Sequence, residues 1–377
     1  MQTFLKMSAD ATPHFACLRR LGLADDGFQQ MRGEWTDHFD VDEPDIDLHS
    51  SGGSSGGSSV SGSGHFGDVV LVRYQNRPFA LKLFKNPLSK ADRERIAYVL
   101  YLYRTKRREW PATLVRYVAG FHFDQSGADV REAVLMERVD GISFERMIAD
   151  NRFANNREQV ACWLRDTLHA VEFLHRHGVA HRDVHEGNVM VSRDGRRATL
   201  IDLDLACGAA LASERCTALC YDKASPRSTP PDLWCAAALQ ERQVPAAQWF
   251  AGDIWGIGCA FAALLMHQVG FIPTKLSYGE RDAASCTSAF GQPARLQKTL
   301  APHLQTLAQQ FFDNKALESV LLRALLIDWT KRPSARSALR ALPDCRGHRA
   351  QFTLPPSSAE FEAAVARGEI ELTGSYL

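Results

Sequence analysis

Apolar and polar positions change rhythm along the chain. Asp68 to Tyr74 (DVVLVRY) and Arg77 to Phe84 (RPFALKLF) are short runs rich in β-branched and aromatic residues, broken by Gln75 and Asn76. That is the pattern of a β-hairpin. Ser89 to Arg104 has helical character, and strand candidates follow at Leu114 to Phe123 and Glu132 to Val139. From Arg157 the period lengthens: REQVACWLRDTLHAVEFLHRHG sets apolar residues three and four positions apart, as an amphipathic helix requires. The segments 250–267, 295–312 and 315–326 are helical in pattern too, and no internal repeat is found. The pattern predicts an α+β chain, with a small β-rich lobe carrying one helix, then a larger helical lobe.

The segments before this region have a different character. Residues 1–49 hold two helix-like apolar patches, then an acidic run, Asp37 to Asp47, with six carboxylates in eleven positions and no Lys or Arg. Such a run reads as a solvated face. Residues 50–64 are Gly or Ser except for Val60, the composition of a flexible linker. The expected organisation is an extension (1–49), a linker (50–59), a main domain (60–342, with lobes 60–138 and 142–342) and a tail (343–377).

Composition narrows the function classes. Of 377 residues 45% are hydrophobic, enough for a sizeable core, and 44 basic residues balance 44 acidic ones. A protein that coats nucleic acid or lies on a membrane surface is not expected from a neutral chain. Nine cysteines are an odd number and too sparse for a disulfide scaffold, which points to a reducing, cytoplasmic compartment. The N-terminal stretch lacks the apolar run of a secretion signal. Ile254 to Pro273 is uncharged and long enough to span a bilayer, but His267, Gln268 and three glycines favour a buried helix. Cys216 and Cys220, with Cys207 and Cys235 nearby, lack the paired spacing of a zinc site and read as ordinary loop cysteines.

Three motifs carry candidate chemistry. Gly62-Ser-Gly64-His-Phe-Gly67-Asp-Val69 opens the hairpin; its glycines let backbone N–H groups approach phosphates, and Val69 would cover a base. Its placement between strands argues against a Rossmann dinucleotide site. Lys82, in the apolar strand Ala80-Leu-Lys82, needs a counter-charge if buried. His181-Arg182-Asp183-Val-His185-Glu-Gly-Asn188 is followed by Asp202-Leu203-Asp204 at the end of an apolar run. Two carboxylates and an amide oxygen at these spacings suit a cage for Mg²⁺ and a triphosphate.

In these motifs, and in their order, the chain from Val60 to Leu342 resembles the protein kinase family. Thr229-Pro-Pro-Asp232 is similar to the family's APE element, Asp253-Ile-Trp-Gly to its buried central helix, and Asp328-Trp-Thr-Lys-Arg332 to a late element whose arginine pairs with the APE acid. The resemblance implies a two-lobed fold and use of ATP and Mg²⁺. By that resemblance Lys82 holds the α and β phosphates, Asp183 accepts the proton of the acceptor hydroxyl, and Asn188 and Asp202 bind Mg²⁺. ATP is held by Gly62, Gly64, Gly67, Val69, Ala80, the gatekeeper Met136, and the hinge from Glu137 to Val139. Asp253 bonds the catalytic loop, and Arg182 is a receptor for a phosphate on a hydroxyl of the segment Ala206 to Pro231 (Ser213, Thr217, Tyr221, Ser225, Ser228 or Thr229), or for a carboxylate such as Asp204 or Asp222.

Departures are equally visible. The helix carboxylate expected beside Lys82 is Glu94, with Glu109 as the alternative. His185 stands where serine/threonine kinases usually carry a lysine, Asp204 replaces the glycine of DFG, and Asp232 replaces the glutamate of APE. The leading expectation is a kinase acting on protein serine or threonine. A small-molecule phosphotransferase, suggested by the histidine two positions after Asp183, and a pseudokinase scaffold are the alternatives.

Overall fold

The computed structural model describes residues 28–32, 40–41, 60–63, 67–74, 77–125, 129–152, 156–208, 229–238, 244–276, 293–310 and 314–345. In chain order these form β1 (Phe28–Arg32), β2 (Asp40–Val41), β3 (Val60–Ser63), β4 (Gly67–Tyr74), β5 (Arg77–Phe84), α1 (Lys90–Thr105), β6 (Tyr117–Gln125), β7 (Asp129–Glu137), β8 (Gly141–Ser143), α2 (Phe144–Ala149), α3 (Arg157–Arg176) and β9 (Val179–Ala180). There follow β10 (Val189–Ser192), β11 (Ala198–Leu200), β12 (Cys207–Gly208), α4 (Pro231–Ala238), α5 (Ala246–Leu265), α6 (Phe271–Leu276), α7 (Pro293–Ala308), α8 (Lys315–Ala324) and α9 (Ala335–Ala341). The chain divides into two compact units, one of Met1–Val139, His177–Val179 and Asp202–Cys216, the other of Asp140–Arg176, Ala180–Ile201 and Thr217–Leu377.

The first unit is built on a sheet of order β1-β6-β7-β5-β4-β2, with β3 also on β4. The expected hairpin is β4–β5, and its alternation turns Val70, Val72, Leu81 and Leu83 into one core with Phe121 and Leu135. Gly67 has to be glycine, because a Cβ there would sit 2.5 Å from the Leu83 carbonyl oxygen. Helix α1 starts where Ser89 accepts from the Asp92 N–H and the Asp92 carboxylate accepts from the Ser89 N–H, a capping box. Its Ile96 and Leu100 are each 1% exposed, burial that contributes about 1.5–3 kcal/mol per side chain.

Two sequence expectations change in this unit. Strand β6 begins at Tyr117 and not at Leu114, whose N–H is taken by a turn to Pro111. Residues 28–32, in a segment that reads as helix-like, are a strand pairing in parallel with β6, Phe28 opposite Gly120. Tertiary pairing overrides local pattern here, since the outer N–H and C=O groups of β6 need partners. Phe28 is fully buried and lies over the bare Gly120. The other residues of 1–49 apart from Asp40 and Val41, together with Gly64 and the tail after Cys345, lie outside the described residues.

In the second unit the long amphipathic helix is α3, packed against α5, α9 and β11. A small sheet, β11-β10-β8, lies beside it. Among the described residues α5 alone is long and apolar enough to cross a membrane, and 83% of its apolar window is buried inside the protein. Gly256 allows its close packing, for a Cβ there would lie 2.4 Å from the Val184 carbonyl oxygen.

The cysteine reading needs correction. Cys162 in α3 is joined by a disulfide to Cys345, 183 positions away, and Cys207 and Cys235 are also disulfide-bonded. Cys207 lies on β12 and Cys235 in α4, so neither is an ordinary loop cysteine. Folding brings the Cα atoms of Cys162 and Cys345 to 5.6 Å, a proximity that sequence spacing does not show.

Candidate active site

In the first unit Lys82 sits mid-strand on β5, opposite Val69 on β4 and Val134 on β7, and is 6% exposed. An ammonium buried between two strands needs compensation. It has two partners: Asp202 Oδ2 at 2.8 Å and Asp204 Oδ2 at 2.7 Å. Burial works to lower the Lys82 ammonium, but the carboxylates of Asp202 and Asp204 overcome it and hold it above its ordinary value. The Tyr117 hydroxyl, from β6, donates to Asp204 Oδ1 at 2.7 Å and accepts from the Leu203 N–H at 2.9 Å. Asp202 takes a left-handed backbone, φ +62°, where a side chain other than glycine is strained unless its surroundings hold it.

Glu94 does not do what the resemblance implies. It lies half-buried on α1, while among the described residues both ion pairs of Lys82 go to Asp202 and Asp204. Glu109, the alternative, is exposed and 3.8 Å from Lys106. The physical reason is occupancy: two carboxylates two residues apart already enclose the ammonium. Asp204 is likewise committed to Lys82 and Tyr117.

The expected nucleotide-binding positions in this unit cluster on adjoining strands. Gly62 on β3 is opposite Val69, and Ala80 is opposite Met136. The Glu137 N–H donates to the Arg116 carbonyl, and its carboxylate pairs with Arg116 at 3.0 Å. Val139 is half-buried just beyond β7.

In the second unit the loop His181–Asn188 is clamped by one side chain of α5. Asp253, 2% exposed, accepts from the His181 N–H at 2.8 Å and the Arg182 N–H at 2.7 Å, and also bonds His175 Nε2 at 2.8 Å. This clamp holds Arg182 at φ +72°. The Asn188 amide nitrogen donates to the Asp183 carbonyl at 2.8 Å and to its Oδ2 at 3.2 Å, which fixes the carboxylate. His185 Nδ1 accepts from the Gly187 N–H at 3.0 Å, and its Nε2 lies 3.7 Å from Asp183 Oδ2. His181 bonds the Ile201 carbonyl, and the Ile201 N–H donates to the Asn188 carbonyl, tying the loop to the chain end beyond β11.

Arg182 is 5% exposed, with its guanidinium 4.4 Å from the centre of the Trp249 ring. Arg332 pairs with Asp232 at 2.7 Å, as the resemblance implies. Sequence alone does not single out Tyr117, His175 or Trp249. Nothing in their local pattern marks them, although the acid at 204 is itself a signal. The hydroxyl-bearing residues from Ser213 to Ser228, considered as phosphate sites, and Asp222 lie outside the described residues, whereas Thr229 is buried.

A mid-strand lysine paired with the carboxylate after β11, and an Asp-to-Asn loop clamped from a buried central helix, are the arrangement expected of a protein kinase domain. The protein kinase domain model matches residues 58–342, well over half the chain, and the chain belongs to that family. It is similar to serine/threonine-protein kinase 40 of Xenopus tropicalis, 25% identical over 59% of this chain and 50% of the relative. It is 21% identical to mitogen-activated protein kinase kinase 8 of Arabidopsis thaliana, over 69% of this chain and 76% of the relative. A calcium/calmodulin-dependent protein kinase kinase of Emericella nidulans is 29% identical over 30% of this chain and 20% of the relative. The chain thus spans half or less of the length of some of these curated relatives.

Proposed function

We propose that the protein transfers the γ-phosphoryl group of ATP, with Mg²⁺, to a hydroxyl of a protein substrate, serine or threonine in preference to tyrosine. The observation that carries this reading is the intact set Lys82, Asp183, Asn188 and Asp202, each held by the contacts its role needs. The names of the relatives, serine/threonine kinases among them, support the choice of acceptor. A neutral chain gives no reason to add nucleic acid or membrane as a partner.

The donor atoms fit the cation. Asn188 spends its amide nitrogen on Asp183, and among the described residues no donor is bonded to its Oδ1. Asp202 Oδ1 takes one long bond, 3.4 Å, from the Asp204 N–H. Amide and carboxylate oxygens are the hard ligands Mg²⁺ prefers. When bound, Mg²⁺ neutralises charge on the phosphate oxygens. Lys82 would hold the α and β phosphates, and Asp183, fixed by Asn188, would orient the acceptor hydroxyl and take its proton. No covalent enzyme intermediate is required, because phosphoryl transfer rests on positioning and charge.

The test is a radiolabelled ATP assay on a peptide array, with sugars and aminoglycosides alongside. Transfer to peptides and phosphoserine or phosphothreonine on acid hydrolysis are expected. Asp183→Asn should lower kcat by about 10² or more while ATP still binds. Transfer to the small molecules alone, or near wild-type single-turnover rates for Asp183→Asn, would overturn the proposal.

A further inference from the structure

Lys82 is enclosed by two carboxylates of the 202–204 segment, although the kinase resemblance places a helix carboxylate beside it. Asp204 occupies the position of a glycine in the family motif, so its carboxylate is an addition to that motif. It is 6% exposed, it lies as close to the Lys82 ammonium as Asp202 does, and its second oxygen is taken by Tyr117.

We propose that Asp204 is a positioning residue: it supplies the standing counter-charge of Lys82 in place of a carboxylate from α1. This rests on the kinase reading of the site. Three features of the first unit carry it.

First, Lys82 and Asp204 are tied to one sheet. Lys82 is part of β5, and Tyr117 of β6 holds both the Asp204 carboxylate and the Leu203 N–H. Lysine and counter-charge therefore move together, whatever α1 does. Secondly, the two carboxylates can divide their duties. If Asp202 turns toward a cation, a lysine paired with it alone would compete for that carboxylate. Asp204 keeps the ammonium partnered and leaves Asp202 available. Thirdly, neither ion pair of Lys82 reaches α1. An outward shift of this helix would not remove a charge partner from the lysine, which closes one route by which a kinase of this architecture could be switched off.

The experiment compares Asp204→Asn, Tyr117→Phe and Glu94→Gln in the full chain, with a peptide accepted by the wild type. Asp204→Asn keeps shape and removes the charge; it should raise KM for ATP at least fivefold and lower kcat at least tenfold. Tyr117→Phe, which frees the carboxylate and the Leu203 N–H but keeps both charges, should move both parameters in the same direction by about threefold. Glu94→Gln, on the helix that gives Lys82 no partner, should leave both within twofold. Melting temperatures separate positioning from folding: a purely structural role would lower the melting point and the active fraction without changing KM. If Asp204→Asn does not fold, Tyr117→Phe against Glu94→Gln decides the matter.

KM and kcat within twofold of wild type for both Asp204→Asn and Tyr117→Phe, or an equal loss in Glu94→Gln, would overturn the proposal. Calorimetric titration with Mg-ATP gives a readout without turnover, in which Asp204→Asn should bind at least fivefold more weakly and an unchanged Kd counts against the role. A wild type that transfers phosphate to no acceptor would overturn the kinase reading alone, and the calorimetric comparison would still decide the role of Asp204.

Discussion

Removing the carboxylate of Asp232 should destabilise the helical unit by about 2–3 kcal/mol, an amount set by what remains around Arg332. The Arg332 side chain is fully buried and makes four hydrogen bonds: to Asp232 at 2.7 Å, and to the carbonyls of Leu326 at 2.7 Å, Ile327 at 3.1 Å and Ala251 at 3.2 Å. Its guanidinium also lies 5.0 Å from the centre of the Trp255 ring. Breaking a buried pair from one side commonly costs about 3–5 kcal/mol, because the surviving charge is stranded. Here three carbonyl dipoles and an aromatic face still solvate the cation, the face alone contributing about 0.5–2 kcal/mol, so the loss in Asp232→Ala falls below that range. Arg332→Met is the informative companion. It removes the charge, strands three buried carbonyls and leaves Asp232 the Gln248 amide in place of its cation, at about 1–3 kcal/mol for each group left unsatisfied. It should therefore cost more than Asp232→Ala, on the order of 4 kcal/mol or above. Urea unfolding followed by tryptophan fluorescence measures both. A loss under about 0.5 kcal/mol in Asp232→Ala, or an Arg332→Met variant milder than Asp232→Ala, would refute the reasoning.

Further outcomes follow from the same contacts. Asp253→Ala leaves two loop N–H groups without their acceptor; it should cost about 2–4 kcal/mol and lower kcat, and a stable variant of normal turnover would show that the loop holds itself. Phe28→Ala should cost about 3–5 kcal/mol and raise hydrogen exchange along β6, so unchanged protection there would contradict the packing of β1 on the sheet. Glu132 is 3% exposed; burial works to raise its pKa, but His122, the Leu88 N–H and Arg93 outweigh it and hold the carboxyl below its ordinary 4.5. A depressed carboxyl stabilises the fold above the unfolded value and loses that contribution as pH falls through the lower folded one. Acid unfolding should thus steepen below pH 4.5, and Glu132→Gln should flatten that limb; an identical acid limb in the variant would count against the assignment. Cys345→Ser should lose about 2–4 kcal/mol in oxidised protein and almost nothing in reduced protein, and equal stability under both conditions would exclude a closed bond to Cys162.

Much of this architecture is legible in the sequence where local and tertiary preferences agree. The β4–β5 hairpin is visible because Val70, Val72, Leu81 and Leu83 alternate on the face that the core covers. Helix α3 is visible because its apolar stripe and its buried stripe coincide. The pair Asp183 and Asn188 is readable because its spacing is itself the chemistry, and Asp253 is readable only through the family resemblance. Strand β1 is not readable: FQQMR has little alternation, and its partner lies some ninety positions away on β6. The same distance problem conceals the Cys162 disulfide and the hydroxyl of Tyr117, whose partners Asp204 and Leu203 are 87 and 86 positions distant. Glu94 shows the opposite error, an acid on the expected helix, at a short separation, whose expected partner Lys82 is held by Asp202 and Asp204.

The family likeness begins at residue 58, after β1 and β2, yet these two strands lie on the outer sides of β6 and β4. A chain trimmed to that boundary would keep Lys82, Asp183, Asn188 and Asp202, but would bare the backbone of β6 from Gly120 to Asp124, and of β4 at Val72 and Arg73. Open strand edges recruit strands from other molecules. The shortened chain would then fail in the test tube by clumping, and an inactive preparation of it would say little about the four residues to which the proposal gives the chemistry.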